Sequence, residues 1–407
     1  MSADDRRLVI VGASLAGLRA AQVLRQEGFT GSLTLIGDEP HAPYDRPPLS
    51  KDFLTSEDPP PDTGLPVPVG LGARLLLGSP ATALSPDERV VTLADGTRVP
   101  YDGLLIATGA KARRWPGAPP PSGVLTLRGR DDATALRRRL GSGHRLVVVG
   151  AGFLGGEIAA AAHRRGARVA LIEASPQPLA SAVGPTAGAY VAALHREAGI
   201  DLRTSTTVTA FESRHGRLAG VRLSDGTRCE ADTVVLALGA VPATGWLATS
   251  GLDTGLGVRC DARLRALRPD GTVVPGVVAA GDVASVPNAL ADGRPVVLGH
   301  WTNAVEQAQA AARTLLAPHG PDVFRGVPSF WSDLHGARFR SVGLPALADT
   351  EEVRENDLAG RRLEIAYHRN GALVGALTAG RTGRLARYRE ALHRTVSGQR
   401  PGVGVMG

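Results

Sequence analysis

A strand–glycine turn–helix–strand unit occurs twice in the chain, and this duplication restricts the fold more than any other feature. The first copy starts at Leu8-Val9-Ile10-Val11 and turns through Gly12-Ala13-Ser14-Leu15-Ala16-Gly17. It continues as a helix to about Gln26, stops at Gly28 and returns as a strand over 32–36, followed by Gly37-Asp38-Glu39. The second copy starts at Leu146-Val147-Val148-Val149 and turns through Gly150-Ala151-Gly152-Phe153-Leu154-Gly155. Its helix ends near Gly166, and a strand over 168–172 leads into Glu173. Short, wholly apolar strands alternating with helices specify a parallel sheet covered on both faces. Asp38 stands 26 positions after Gly12 and Glu173 stands 23 after Gly150, the spacing at which a βαβ unit offers an acid to a dinucleotide ribose.

Each residue type in such a turn has a physical task. The first glycine permits the bend, the second lets backbone approach a pyrophosphate, and the third lets helix and strand pack. The helix N-terminus then presents unpaired N–H groups and a partial positive charge to the phosphates. Ser14 replaces the middle glycine of the first copy; its Cβ crowds the phosphate, while its hydroxyl can donate to it. Glu173 can accept from a ribose 2′-OH and repel a 2′-phosphate, so NADH is expected over NADPH. Arg164, Arg165 and Arg168 are assigned to the helix surface and the turn after it.

The 407 residues suffice for two or three domains. Two cysteines, Cys229 and Cys260, exclude a disulfide framework and a cysteine-rich metal site, and no metal is expected. The longest uncharged run, from Thr233 to Leu252, is broken by Gly239, Pro242, Gly245 and Gly251 and reads as strand and turn, not as a membrane span. The N-terminus, Met1 to Arg7, has no signal-peptide pattern, and a cytoplasmic location is expected. Net charge is +7, and residues 361–407 carry nine arginines against Glu364 and Glu390. No nucleic-acid motif accompanies these arginines, which leaves an acidic protein partner or solvent as their counterpart. Proline-rich connections occupy 58–68 and 115–121, the second being a plausible domain crossing. From Ser329 onward, three short strand-like runs precede an arginine-rich helix near 382–395, read as a smaller α+β domain.

The segment Pro43-Tyr44-Asp45-Arg46-Pro47-Pro48-Leu49-Ser50-Lys51 resembles the FAD-dependent NADH–ferredoxin reductases that serve cytochrome P450 and Rieske oxygenase systems, the putidaredoxin reductase-like group. Ala107-Thr108-Gly109, Ala280-Gly281-Asp282, His300-Trp301-Thr302-Asn303-Ala304 and Phe330-Trp331-Ser332-Asp333 extend the resemblance over nearly the whole chain. It implies two dinucleotide-binding, glutathione reductase-like α/β domains and a C-terminal α+β domain. The expected boundaries are 1–113 with 237–326 for FAD, 114–236 for NADH, and 327–407 for the third domain.

Carried over by position, Gly12, Ser14, Ala16 and Gly17 would hold the FAD pyrophosphate, and Asp38, with Glu39 close behind, the adenosine ribose. Arg46 and Lys51 would contact the flavin half, with Ala81, Thr108, Gly109, Arg128, Gly239 and Gly281 around the cleft. Asp282 would accept from ribityl hydroxyls and Trp301 would sit near the ring system. Gly150, Gly152, Phe153, Leu154, Gly155 and Glu173 would bind NADH. Lys51 and Glu157 would pair where hydride arrives, and Trp331 would cover the electron-exit side. His300 is expected to be a packed histidine. The implied activity moves hydride from NADH to FAD and single electrons to an acidic iron–sulfur ferredoxin, by a monomer or weak homodimer. Some of the arginines in 361–407, with others near the flavin edge, are expected on the docking face, and charge reversal at Arg384 and Arg387 would test it. A rubredoxin reductase and an NADH-responsive switch like apoptosis-inducing factor are the alternatives. A disulfide reductase or an NADH oxidase is disfavoured, because no cysteine precedes Cys229.

Overall fold

The duplicated unit folds as two parallel sheets, here seen in a computed structural model that describes residues 5–117, 119–320 and 323–397. Met1 to Asp4, Ala118 in the second proline-rich connection, and the end of the basic tail with Arg400 lie outside the described residues. The first sheet runs Arg265–Leu267, Val273–Ala279, Gly103–Ile106, Arg7–Val11, Ser32–Ile36, Arg74–Leu76. Its centre is parallel, with Val9 opposite both Thr34 and Leu104. The second runs Asp201–Arg203, Arg168–Ile172, Arg145–Val149, Thr233–Leu236, Val124–Thr126, with Val148 between Leu171 and Val235. Strands from both sides of the second unit thus build the first sheet. Where the chain passes between them, Ala110–Ala112 and Ala240–Pro242 pair as an antiparallel ribbon.

Both sheets are apolar on both faces. Leu8, Ile10, Leu35, Leu104 and Ile106 are buried in one core, and Leu146, Val148, Leu171 and Val235 in another. The helix after the first glycine turn, Leu15–Gln26, buries Leu18, Ala21 and Leu24 at helical spacing and ends where Gly28 takes φ +86°. The equivalent second helix, Phe153–Arg164, buries mostly glycine and alanine, with Ile158 and Glu157, which lets it lie close to strand and loop.

The C-terminal region departs from expectation: it holds five antiparallel strands, not three. They run Ser329–Leu334, Ala337–Gly343, Ala372–Ala379, Arg362–Arg369, Thr350–Asp357. Two of the five strands show no alternating period, for different reasons. Thr350–Asp357 is an edge strand of charged residues, and Ala372–Ala379 is a buried run of small residues with no polar alternation. One face of this sheet is covered by Leu385–Val396 through Tyr388, Leu392 and Val396. Its other face packs on Ala180–Glu197, the helix after the second glycine unit, through Phe339, Ile365 and Tyr367. No helix among the described residues is long and apolar enough to cross a membrane.

Candidate functional site

A cavity of about 350 Å³ opens between the first glycine turn, the second glycine helix and the C-terminal sheet, within the size range of cofactor sites. Gly12, Ser14 and Ala16 line one end. A side chain cannot replace Gly12, since φ is +123° and a Cβ would lie 2.0 Å from the Ala107 carbonyl oxygen. Ser14 is the N-cap of the first helix, yet its hydroxyl makes no capping bond. It is left to meet a ligand beside the unpaired N–H groups of the helix's first turn. Gly17 does not reach the cavity. It lies beneath the turn, where a Cβ would stand 1.9 Å from the Gly12 oxygen, so its task is packing.

Lys51 and Glu157 meet at 2.7 Å in the wall of this cavity. Lys51 stands between the short helical turns Pro47–Ser50 and Asp52–Thr55. The end of that segment is clamped by arginines from the second unit. Arg137 donates to the Phe53 and Ser56 carbonyls, and Arg165 to that of Leu54. Glu157 is only 7 % exposed and is satisfied from three directions. Its Oε2 accepts from Lys51 Nζ and, at 2.5 Å, from Ser50 Oγ; its Oε1 accepts from Ser332 Oγ at 2.6 Å. A buried carboxylate is stable only with such a complete set of donors. Sequence reasoning singles out neither serine, although both stand inside the motifs that carry the resemblance.

The two acids after the first unit have different surroundings. Glu39 is held by Arg46 Nη2 at 2.6 Å and by the Tyr44 hydroxyl, a phenol that burial pushes up and keeps protonated. Asp38 lines the same cavity and is exposed. Arg46 also donates to the Arg128 carbonyl, and Arg128 pairs with Asp282 at 2.7 Å. Thr108, Gly109 and Gly281 complete this wall. Trp301 is anchored by Nε1 donating to Asp45 at 2.8 Å, and meets Trp331 edge-on at 5.9 Å between ring centres. His300 packs on Phe330 at 5.0 Å, and burial lowers its pKa. Ala81 falls outside the cavity, on a strand of a separate three-stranded sheet.

The second turn is a distinct place. Gly155 repeats the packing role of Gly17, with a Cβ position 1.9 Å from the Gly150 oxygen. A Cβ on Gly152 would meet nothing within 4 Å, so the middle of the turn faces open space. Glu173 accepts from the Ala151 N–H at 2.7 Å and the Ser175 N–H at 2.8 Å, which fixes its carboxylate at the turn. Neither Gly150, Gly152, Gly155, Glu173 nor Gly239 lines the main cavity, but Phe153, Leu154 and Glu157 from the helix they launch do. One helix therefore starts at the second turn and ends its first turn against the first site.

A family described as pyridine nucleotide-disulphide oxidoreductase matches residues 6–311, and a reductase C-terminal family matches 329–402. The chain belongs to the pyridine nucleotide-disulphide oxidoreductase family. Its members bind FAD and a nicotinamide dinucleotide, and the two glycine turns fit those groups. The chain is 39 % identical to rhodocoxin reductase of Rhodococcus erythropolis over 85 % of its length and 80 % of that protein's. It is 38 % identical to the ferredoxin reductase subunit of a 5,5′-dehydrodivanillate O-demethylase of a Sphingobium species, covering 92 % and 90 %. The solved covalent complex of putidaredoxin reductase with putidaredoxin matches with a TM-score of 0.88 at 31 % identity, covering 96 % and 94 %.

Against the family's name, no cysteine lines the cavity. Cys260 is buried in the first core, where burial pushes its thiol up, and Cys229 lies on a hairpin strand of the second domain. The basic tail also makes ion pairs with its own sheet. Arg384 and Arg387 both bind Glu364, a residue with 0 % exposure, and Arg381 pairs with Glu355. These arginines neutralise acids of their own sheet; charge reversal there would unpair a buried carboxylate.

Proposed function

We propose that this chain takes hydride from NADH and delivers electrons one at a time to an acidic iron–sulfur ferredoxin serving an oxygenase. The observation that carries the reading is the second glycine helix: it rises from one nucleotide turn and sets Phe153, Leu154 and Glu157 into the cavity of the other. FAD, when bound, supplies a centre that accepts a hydride and releases single electrons. Gly12, Ser14 and Ala16 would hold its pyrophosphate, Asp38 and Glu39 its adenosine end, and Arg46, Arg128 and Asp282 the stretch between. Gly150, Gly152 and Glu173 would hold NADH.

Lys51 would present its ammonium where negative charge develops, and Glu157 would fix the direction of that ammonium. The indoles of Trp301 and Trp331 would exclude water along one wall and mark the side on which electrons leave. Arg340 faces Trp331 across the strand pair, and Arg389 reaches Ser329 at the start of the same strand. With Arg384 and Arg387, which pair with Glu364 but stay about half exposed, they are candidates for steering an acidic partner, an effect on association rate more than on affinity; Arg340 itself pairs with Asp333 at 3.4 Å. The test is NADH-driven cytochrome c reduction with and without added ferredoxin, in wild type and in Arg340→Glu with Arg389→Glu. A ferredoxin-dependent rate that falls about tenfold at low salt and recovers relative to wild type at high salt is expected. Turnover indifferent to ferredoxin overturns the assignment of partner. An unchanged rate in the variant removes these arginines from the docking face.

A further inference from the structure

Glu157 is gripped by residues from two other regions of the chain, and one of these contacts links the C-terminal sheet to the reacting end of the cavity. Lys51 and Ser50 come from the first nucleotide domain, Glu157 from the second, and Ser332 from the C-terminal strand Ser329–Leu334. Ser332 is 1 % exposed. Among the described residues it is the sole donor to Oε1, while Lys51 and Ser50 share Oε2. We infer that Ser332 is a positioning residue that sets the Glu157 carboxylate, and through it the Lys51 ammonium, for hydride arrival. The inference rests on the reading that this cavity holds FAD.

The geometry gives the contact a register as well as a bond. Phe153 and Glu157 are four apart on the helix and share a face. Phe330 and Ser332 are two apart on the strand and share a face. Phe330 packs edge-on against Phe153 at 4.8 Å, and Ser332 reaches Glu157 one helical turn further on. Between them in sequence, Trp331 lines the cavity. The pairing thus holds strand and helix in one alignment, with the tryptophan and the ion pair placed together. Without the Ser332 hydroxyl, Oε1 is a buried acceptor with no donor. The carboxylate then rotates to share Lys51 between its oxygens, and the ammonium turns with it. Ser50 alone cannot prevent this, because it binds the same oxygen as Lys51.

The experiment mixes NADH anaerobically with the FAD-loaded wild type, Ser332→Ala, Ser332→Thr, Glu157→Gln and the double variant Ser332→Ala with Glu157→Gln. Ser332→Ala should slow flavin reduction about tenfold, with half-saturation by NADH unchanged within about twofold, as loss of a buried hydrogen bond predicts. It should also move the midpoint potential of the bound flavin in the negative direction, because the ammonium no longer faces the ring squarely. Ser332→Thr, which keeps the hydroxyl, should recover most of the rate. In the Glu157→Gln background, Ser332→Ala should add less than about twofold, since a residue acting through Glu157 cannot act twice. Wild-type rate and potential in Ser332→Ala would overturn the inference, as would an additive loss in the double variant or a threonine as slow as the alanine. If Ser332→Ala does not retain flavin, Ser332→Cys takes its place, and wild-type kinetics in that weak donor would be equally fatal. A wild type that NADH fails to bleach sinks the FAD reading itself, which keeps the two failures apart.

Discussion

The two glycine turns start from the same local structure and end in opposite conditions. After the first unit, the chain folds back over its own turn. Glu39, Tyr44 and Arg46 lock together, and the segment around Lys51 is pinned by Arg137 and Arg165. After the second unit, Gly152 faces open space and Glu173 turns back onto backbone N–H groups of its own turn. The first turn is thereby enclosed and the second lies open. The turns themselves differ at Ser14 and Gly152, but the larger difference lies in the chain beyond each acid. Similar glycine turns can serve a resident group and a passing one, according to the loops placed above them.

Adding one methyl group to each turn tests that separation most severely. Gly12→Ala drives a Cβ to 2.0 Å from the Ala107 oxygen at φ +123°, and Gly150→Ala drives one to 2.5 Å from the Ala237 oxygen at φ +101°. Gly12→Ala should abolish flavin binding, seen as loss of the yellow absorbance on purification. Gly150→Ala should stay yellow and lose reduction by NADH by about a hundredfold or more, since backbone strain of this kind misplaces the whole pyrophosphate loop. A colourless Gly150→Ala would mean that the halves do not bind independently.

Glu173 sharpens the contrast at smaller scale. Its carboxylate sits at the open turn, where a 2′-phosphate would arrive. Glu173→Ala should lower the ratio of NADH to NADPH use, as kcat/KM, by about tenfold, the effect of removing one repulsive charge and one ribose hydrogen bond. An unchanged ratio would show that the backbone-bound carboxylate does not reach the ribose.

What the sequence made legible was local. Both glycine turns, the helix from Leu15 to Gln26 and the parallel strands come from periodicity within about thirty residues. The approach of Lys51 to Glu157 came from resemblance, since no spacing rule joins positions 106 apart. Ser332 and Glu157 are 175 apart. A serine in an apolar strand gives no signal until its partner is known. Net charge likewise counts arginines without showing that Glu364, with 0 % exposure, binds two of them. Ala81, placed at the cleft by resemblance, stands on a small separate sheet that no motif marks.

The smallest expected effect concerns one contact between the second half and the C-terminal region. His195, on the helix Ala180–Glu197, meets His335, after the strand Ser329–Leu334, with Nδ1 to Nε2 at 2.9 Å. His195 has no exposure, its Nε2 has no hydrogen-bond partner among the described residues, and Gly156 packs against its ring. Burial holds His195 down to about 3 and His335 down to about 4 from an ordinary 6.5. His163, Arg361 and Arg164 push His335 further the same way, with Glu197 opposing. In the unfolded chain both imidazoles take protons near pH 6.5, while the native pair stays neutral until about pH 4 or below. The unfolded state therefore binds more protons throughout that window, and stability must fall as the pH drops through it. His335→Gln removes one of the two titrations and should flatten the acid slope by at most about 1.4 kcal/mol per pH unit. Denaturant unfolding at several pH values between 7 and 4 measures it, and flavin retention at each pH shows whether the first half is spared. Parallel curves for wild type and variant would mean that the pair is not what ties the second half to the sheet in acid. Loss of flavin in step with unfolding would mean that the first half depends on the same support.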